Sequence, residues 1–351
     1  MRLLSHKHSN FRGLLDSSYD LNDINLIVGD NGTGKTSLLE SVYVSLLGTP
    51  LNSFSSAGID LTRNASGSLI ADSTLLNDRD QAYSQGFFLE NHKKRLTSNG
   101  NKVSVREAFL ETPVCLIDSN VDKVSSESPE YRRRLVDRSV FHVEQKHAES
   151  YKKMQKAIKQ RNKCIKNGEG ESAVRSWDAV ISNEGEKVTE HRGLFVKDLQ
   201  GEIDALDKKI LRKEIKLELR NGWGEECLSE YLGRNTKRDM AARRTLGGPH
   251  RADLLISLDG KVAKEYSSKG EEKQMSLSIS FGISRLIEKK TGARPILLID
   301  ELESGLDEAA LERISEYIKS LKNQLLITTL EHHKIKEILD GKTIHPKQHN
   351  C

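Results

Sequence analysis

Nowhere in the 351 residues is there an apolar run long enough to cross a bilayer. The most apolar stretch, Met275 to Ile283, is interrupted by three serines and falls far short of the roughly 20 residues a spanning helix needs. No membrane-spanning segment is therefore expected. The N-terminus offers only the pair Leu3-Leu4 where a secretory leader carries a core of about 7 to 15 apolar residues, so secretion is not expected either. Cysteine is scarce, and Cys115, Cys164, Cys227 and Cys351 lie far apart with no Cys-x-x-Cys. That spacing fits a reducing, cytoplasmic setting better than a disulfide framework or a thiolate zinc site. His6, His8, His332 and His333 have no metal-ligand partners at useful spacing. There is no credible G-x-S-x-G nucleophile turn, internal repeat, heptad array or low-complexity tract. An excess of one charge is missing as well: 55 basic against 51 acidic residues leave a net +4, too small to identify a polyanionic partner.

Hydrophobic residues at 36% and charged residues at 30% suffice for a sizeable core, and the length suggests two to three domains at about 150 residues each. Short β-type runs at Ile24–Val28, Leu254–Leu258, Ile296–Ile299 and Gln324–Thr328 alternate with helical patterns, which is an α/β layout. Residues 50–105 read as strands and irregular loops, about 130–212 as at least two helices interrupted at Asn167-Gly168-Glu169-Gly170, and Ile215–Leu219 as a strand. Lys342–Cys351 reads as a frayed tail.

Gly29-Asp30-Asn31-Gly32-Thr33-Gly34-Lys35-Thr36 matches G-x-x-x-x-G-K-[ST] at every fixed position, after a strand and before a helix. Glycines let the backbone turn its N–H groups toward phosphates. Lys35 neutralises β/γ charge and Thr36 offers a hydroxyl to Mg²⁺. The pattern predicts ATP and Mg²⁺ as ligands. Ile296-Leu297-Leu298-Ile299 ends in Asp300 and Glu301; the first suits a metal ligand and the second a base for the attacking water. Ser304, Asp307 and, after one helix, Thr329 follow in the order of a D-loop and switch. Upstream, Ser268, Gly270 and Glu271 open another helix, as the signature loop of ABC-type ATPases does. Phosphate loop, signature, acid pair and switch together resemble that class.

Further elements resemble the RecF family of SMC-related ATPases. These are Asn10-Phe11-Arg12, Tyr131-Arg132-Arg133-Arg134 through Asp137 to Phe141-His142, Lys159-Gln160-Arg161-Asn162, and Gly247-Gly248-Pro249-His250-Arg251-Ala252-Asp253-Leu254. The resemblance covers about residues 1–330. It implies an ABC-type P-loop ATPase head with an inserted, mainly helical lobe, Arg12 at the nucleotide, and Ser268, Gly270 and Glu271 acting in trans across an ATP-dependent homodimer. It also implies weak ATP hydrolysis coupled to release of gapped or junction DNA, and RecO and RecR as partners in loading recombinase. Departures are Glu271 in place of the usual Gln, Phe54-Ser55 in place of an F-R pair, and no Q-loop glutamine near Leu116–Asn120.

The layout expected is an ATPase lobe over 1–125 and 240–351 with an inserted lobe over 126–239. Twelve basic residues against four acids between Glu130 and Lys166 concentrate positive charge in the inserted lobe. Lys152, Lys156, Lys159, Lys163 and Lys166 share one helix face, opposite Tyr151, Met154, Ile158 and Ile165. Either a solvated face or a phosphate-contacting surface fits that stripe. The candidate DNA-binding set is Arg132, Arg133, Arg134, Lys152, Lys156, Lys159 and Lys163. Two other classes share the phosphate loop. A GTPase would use Thr236-Lys237-Arg238-Asp239 as its base reader, although no apolar strand precedes it. A transporter nucleotide-binding subunit would carry a switch histidine where Thr329 stands, and a shorter helical lobe.

Overall fold

The computed structural model describes residues 1–50, 61–62, 67–77, 79–91, 93–117, 124–206, 209–330 and 335–348. Phe54, Ser55, residues 118–120, His332, His333 and Cys351 lie outside them. Two compact units result: residues 1–122, 209–211 and 269–351 form the first, and 123–208 with 212–268 form the second. Elements are numbered along the whole chain.

The first unit holds β1 (Arg2–Ser9), β2 (Ser17–Asp20), β3 (Ile24–Val28), α1 (Lys35–Leu47), β4 (Ser68–Leu76), β5 (Ala82–Glu90), β6 (Lys93–Ser98), β7 (Asn101–Lys102), α2 (Val105–Glu111) and β8 (Val114–Ile117). After the second unit come α9 (Lys269–Thr291), β12 (Ile296–Ile299), α10 (Glu308–Ser320), β13 (Leu325–Thr329), α11 (Ile335–Ile338) and β14 (Lys342–Ile344). One sheet is antiparallel, in the order β2-β1-β4-β5-β6-β7. The other has the order β14-β3-β13-β12-β8, with every pairing parallel. Its central strands are buried along their whole length, which is why they read as unbroken apolar runs rather than alternating ones. Helix α1 packs against β4, β5 and β13 and is buried nearly all round. His6 is part of this core, bonded through its ring nitrogens to Ser73 and Ser41. Residues 342–348 are held by backbone pairing where a frayed tail is expected, and residues 349–351 lie outside the described residues. Strand β14 pairs with β3, Leu15 N–H donates to Lys347 O at 2.8 Å, and Gln348 bridges to Leu14.

The second unit holds α3 (Pro129–Val143), α4 (Gln145–Lys166), α5 (Glu171–Arg175), α6 (Asp178–Asp204), β9 (Ile215–Arg220), α7 (Leu228–Ala241), β10 (Asp253–Leu258), β11 (Lys261–Val262) and α8 (Ala263–Tyr266). Met154, Ala157 and Ile158 of α4 pack with Ile181 and Val188 of α6 and Leu228 and Leu232 of α7. The sequence places the return to the ATPase lobe near residue 240. Instead, β10 pairs antiparallel with β9 from Asp253↔Arg220 to Leu258↔Ile215, which keeps 240–268 in the second unit. The helical reading of about 130–212 also runs too far: α6 stops at Asp204, and Leu206 and Ile210 are buried beyond it.

Candidate nucleotide-binding site

The phosphate loop leaves β3 and enters α1. Gly32 and Gly34 both have φ 83°, a left-handed conformation that costs a residue with a Cβ and is free for glycine. Thr33 Oγ1 donates to Asp30 O at 2.8 Å and closes the turn. Lys35, 6% exposed, donates through Nζ to Gly29 O and Asp30 O, each at 2.9 Å, so its ammonium is held inside the loop. With the N–H groups at the start of α1, this is an anion cradle.

Strand order does the next step. Strand β13 lies between β3 and β12, so the loop after β3 and the acids after β12 face each other across one strand, at the carboxyl ends where parallel sheets bind ligands. Thr36 Oγ1 lies 3.1 and 3.0 Å from the two Asp300 oxygens. A hydroxyl and a carboxylate converging there supply hard oxygen donors, and Mg²⁺, which keeps waters and takes phosphate oxygens, needs little more from a protein. The residues fit the ion. Clusters of three or more His, Cys, Asp or Glu suited to a metal do not occur among the described residues, and this mode does not need one.

The contact to the acids that the sequence missed is Thr328. Its hydroxyl donates to Asp300 Oδ1 at 2.6 Å and accepts the Glu301 N–H at 2.7 Å. Thr329, the expected switch residue, is buried with a hydroxyl that has no partner among the described residues. Nothing in the sequence marks Thr328, because β13 is buried on both faces and carries no alternation that would tell it from Thr329.

Glu301 adopts φ 48°, and its carbonyl accepts from Lys273 Nζ at 3.2 Å and from Ser304 N–H at 3.1 Å. Asp307 is committed to capping α10, accepting the Ala310 N–H at 2.7 Å. Helix α9 starts at Lys269, within the signature, and a Cβ on Gly270 would sit 3.2 Å from Gly305 O. The described contacts thus join this end of α9 to the loop after the acid pair. Ser268 and Glu271 are at least partly exposed. Arg12 pairs with the buried Glu40 of α1 at 2.5 Å, which ties the Asn10-Phe11-Arg12 segment to the phosphate-loop helix.

In the second unit the basic residues separate by role. Arg132 is not available to a partner: its guanidinium is bidentate to Asp253 at 2.8 Å and only 5% of the residue is exposed. Arg133 donates to Ala252 O at 2.6 Å, and Arg134 pairs with Glu130. Lys152, Lys156, Lys159, Lys163 and Lys166 are exposed on α4. Arg161 is fully buried, bonded to Asp178, Asp239 and Thr245, and Asn162 Oδ1 accepts the Thr245 N–H at 2.7 Å. Those bonds tie the buried side of α4 to the turn that carries exposed Arg243 and Arg244, two residues that lie too far along the chain for a local charge count to include. Thr236-Lys237-Arg238-Asp239 lies within α7, with Thr236 bonded to its own helix and Asp239 to Arg161, so it reads no base.

Residues 6–350 match the RecF/RecN/SMC N-terminal domain family. The DNA replication and repair protein RecF of Aliivibrio salmonicida is 28% identical over 323 residues, covering 91% of this chain and 89% of that protein. RecF of Vibrio campbellii is 26% identical, with 95% of each covered. Among solved structures, the recombination mediator protein RecF with ATP, of the RecFOR pathway, superposes with a TM-score of 0.87 at 21% identity, covering 99% of this chain and 95% of that one. A Smc head bound to the C-winged helix domain of ScpA gives 0.60 at 16% identity, covering 98% and 94%. With the family's profile matched over nearly the whole chain and its head-type α/β fold present, this protein belongs to the RecF/RecN/SMC N-terminal domain family.

Proposed function

We propose that the protein is a RecF-type, ATP-dependent DNA-binding ATPase that acts as a recombination mediator on gapped or junction DNA, together with partners of the RecO and RecR type. The observation that carries this reading is the convergence of Lys35, Thr36, Asp300 and Glu301 at the carboxyl end of one parallel sheet. Lys35 and the loop N–H groups hold the phosphates. Mg²⁺ bound by Thr36 and Asp300 would neutralise charge on the β- and γ-phosphates. Glu301 takes the proton of the attacking water as the γ-phosphoryl group leaves ADP. Ser268, Gly270 and Glu271 of a second copy close the site, giving a two-fold dimer with two composite sites, and hydrolysis releases it. Exposed lysines of α4, with Arg243 and Arg244, meet DNA phosphates.

Solution mass by light scattering, with and without ATP and Mg²⁺, tests this on the wild type, Lys35→Ala and Ser268→Arg. Mass doubles with ATP in the wild type only, while Ser268→Arg still binds nucleotide as a monomer. A wild type that stays monomeric with ATP, with and without gapped DNA, overturns the composite-site dimer. Competition between ATP and GTP for the wild type separates the GTPase reading.

A further inference from the structure

We infer that Thr328 is a positioning residue for ATP hydrolysis, its single hydroxyl orienting both the Asp300 carboxylate and the Glu301 peptide. This rests on the ATPase reading above and concerns how the two acids are aimed. A threonine hydroxyl has one proton to give. The Glu301 N–H points at the Thr328 oxygen at 2.7 Å, so the hydroxyl proton is turned the other way, onto Asp300 Oδ1 at 2.6 Å. Thr328 is fully buried, and water does not compete for either bond. Its β-branched side chain, held in a five-residue strand between β3 and β12, has few rotamers open to it.

Both ends of the Glu301 residue are thereby held. Thr328 takes the N–H, while Lys273 and Ser304 donate to the C=O. Between these bonds Glu301 keeps φ 48°, a conformation that non-glycine residues leave unless their surroundings hold them there. On the other side of the hydroxyl, Asp300 is shared by Thr36 and Thr328, which fixes the carboxylate plane facing the phosphate loop. One hydroxyl therefore couples the metal-side acid to the water-side acid. Hydroxyls that orient a metal-binding carboxylate typically matter by about 10- to 100-fold in metal affinity or activity.

The test compares Thr328→Val, which keeps the shape and loses the hydroxyl, with Thr328→Ser, which keeps the hydroxyl, and with Thr328→Ala in case valine does not fold. Three readouts are needed: steady-state ATPase kinetics, Mg²⁺ titration of fluorescent-ATP binding, and thermal melting. The expected result is a kcat lower by about 10- to 100-fold in the valine or alanine variant, with KM for ATP unchanged. Half-saturation by Mg²⁺ shifts to higher concentration, and serine restores both. A folded valine or alanine variant with wild-type kcat and Mg²⁺ dependence overturns the inference, as does a serine variant as impaired as the valine one. A wild type that hydrolyses no ATP removes the ATPase reading alone. In that event the Mg²⁺ titration still decides, since an unshifted variant overturns the role of Thr328.

Discussion

Single residues at this site divide into those whose chemistry is visible in the chain and those defined by neighbours. Gly34 belongs to both groups. Its place in the phosphate motif predicts a backbone turn, but its intolerance of a side chain comes from a Cβ position 2.6 Å from Gln348 Nε2 and 2.7 Å from Leu14 Cδ2, added to φ 83°. Gly34→Ala should abolish binding of fluorescent ATP while the protein still melts cooperatively, because the backbone penalty itself is only about 1 to 2 kcal/mol. Asp137 lies within the Tyr131–His142 element, whose sequence gives it no evident role. Arg192 is bidentate to it at 2.7 and 2.8 Å, and His147 lies 3.2 Å away. Burial pushes the Asp137 carboxyl up, and the hydrogen bonds from His147 and Arg192 outweigh that, so its pKa ends below the ordinary value. Asp137→Asn leaves a buried guanidinium without its counter-charge and should cost about 3 to 5 kcal/mol in urea unfolding.

At the scale of elements, α4 shows how far periodicity reaches. Met154, Ile158 and Ile165 are buried and the five lysines are exposed, as a 3.6-residue repeat demands. The same repeat places Arg161 on the face of Met154, Ile158 and Ile165, where it is wholly buried; what the helix cannot show is that Asp178, Asp239 and Thr245 receive its guanidinium there. Counting it with the surface lysines overstates the charge a partner meets. Replacing Lys156, Lys159 and Lys163 together by Glu should leave the melt unchanged, since all three are exposed. It should weaken binding to gapped duplex and lower the salt slope, −∂log K/∂log[salt], by about 2 to 3 from lost phosphate contacts alone. Unaltered salt dependence in filter binding would assign that face to solvent or to a protein. Strand β14 was missed for the opposite reason. Three residues on a sheet edge carry too little pattern to announce a strand, and only the open side of β3 makes one.

For the whole molecule, the buried histidines set an acid limit. Burial, with Arg138 nearby, lowers the His142 pKa to about 3. Burial likewise lowers His250 to about 4, against the hydrogen bond its ring donates to the Thr245 carbonyl, which raises it. His6, buried and beside His8, is also lowered well below its ordinary value. Each such group takes up a proton on unfolding. Stability is thus complete above the ordinary pKa of 6.5 and is lost as pH falls toward about 4 for His250 and about 3 for His142. By pH 5 each of those two should cost about 2 kcal/mol. Thermal melts from pH 7.5 to 5 should fall steadily, and His142→Gln should flatten the curve.

Contiguous chemistry was legible from the chain. The phosphate loop from Gly29 to Thr36, the acids Asp300 and Glu301 and the lysine stripe of α4 each depend on a few neighbouring residues whose spacing already states their geometry. Tertiary structure alone decided what depends on juxtaposition across the chain. Thr36 meets Asp300 because β13 separates their strands by one position. Thr328 rather than Thr329 serves the acids because only one face of β13 turns toward them. Arg132 is withdrawn from the surface because Asp253, 121 residues away, is brought to its guanidinium. A sequence states which groups could react; which carboxylate each cation meets is settled when strands and helices pack and buried charges must find partners.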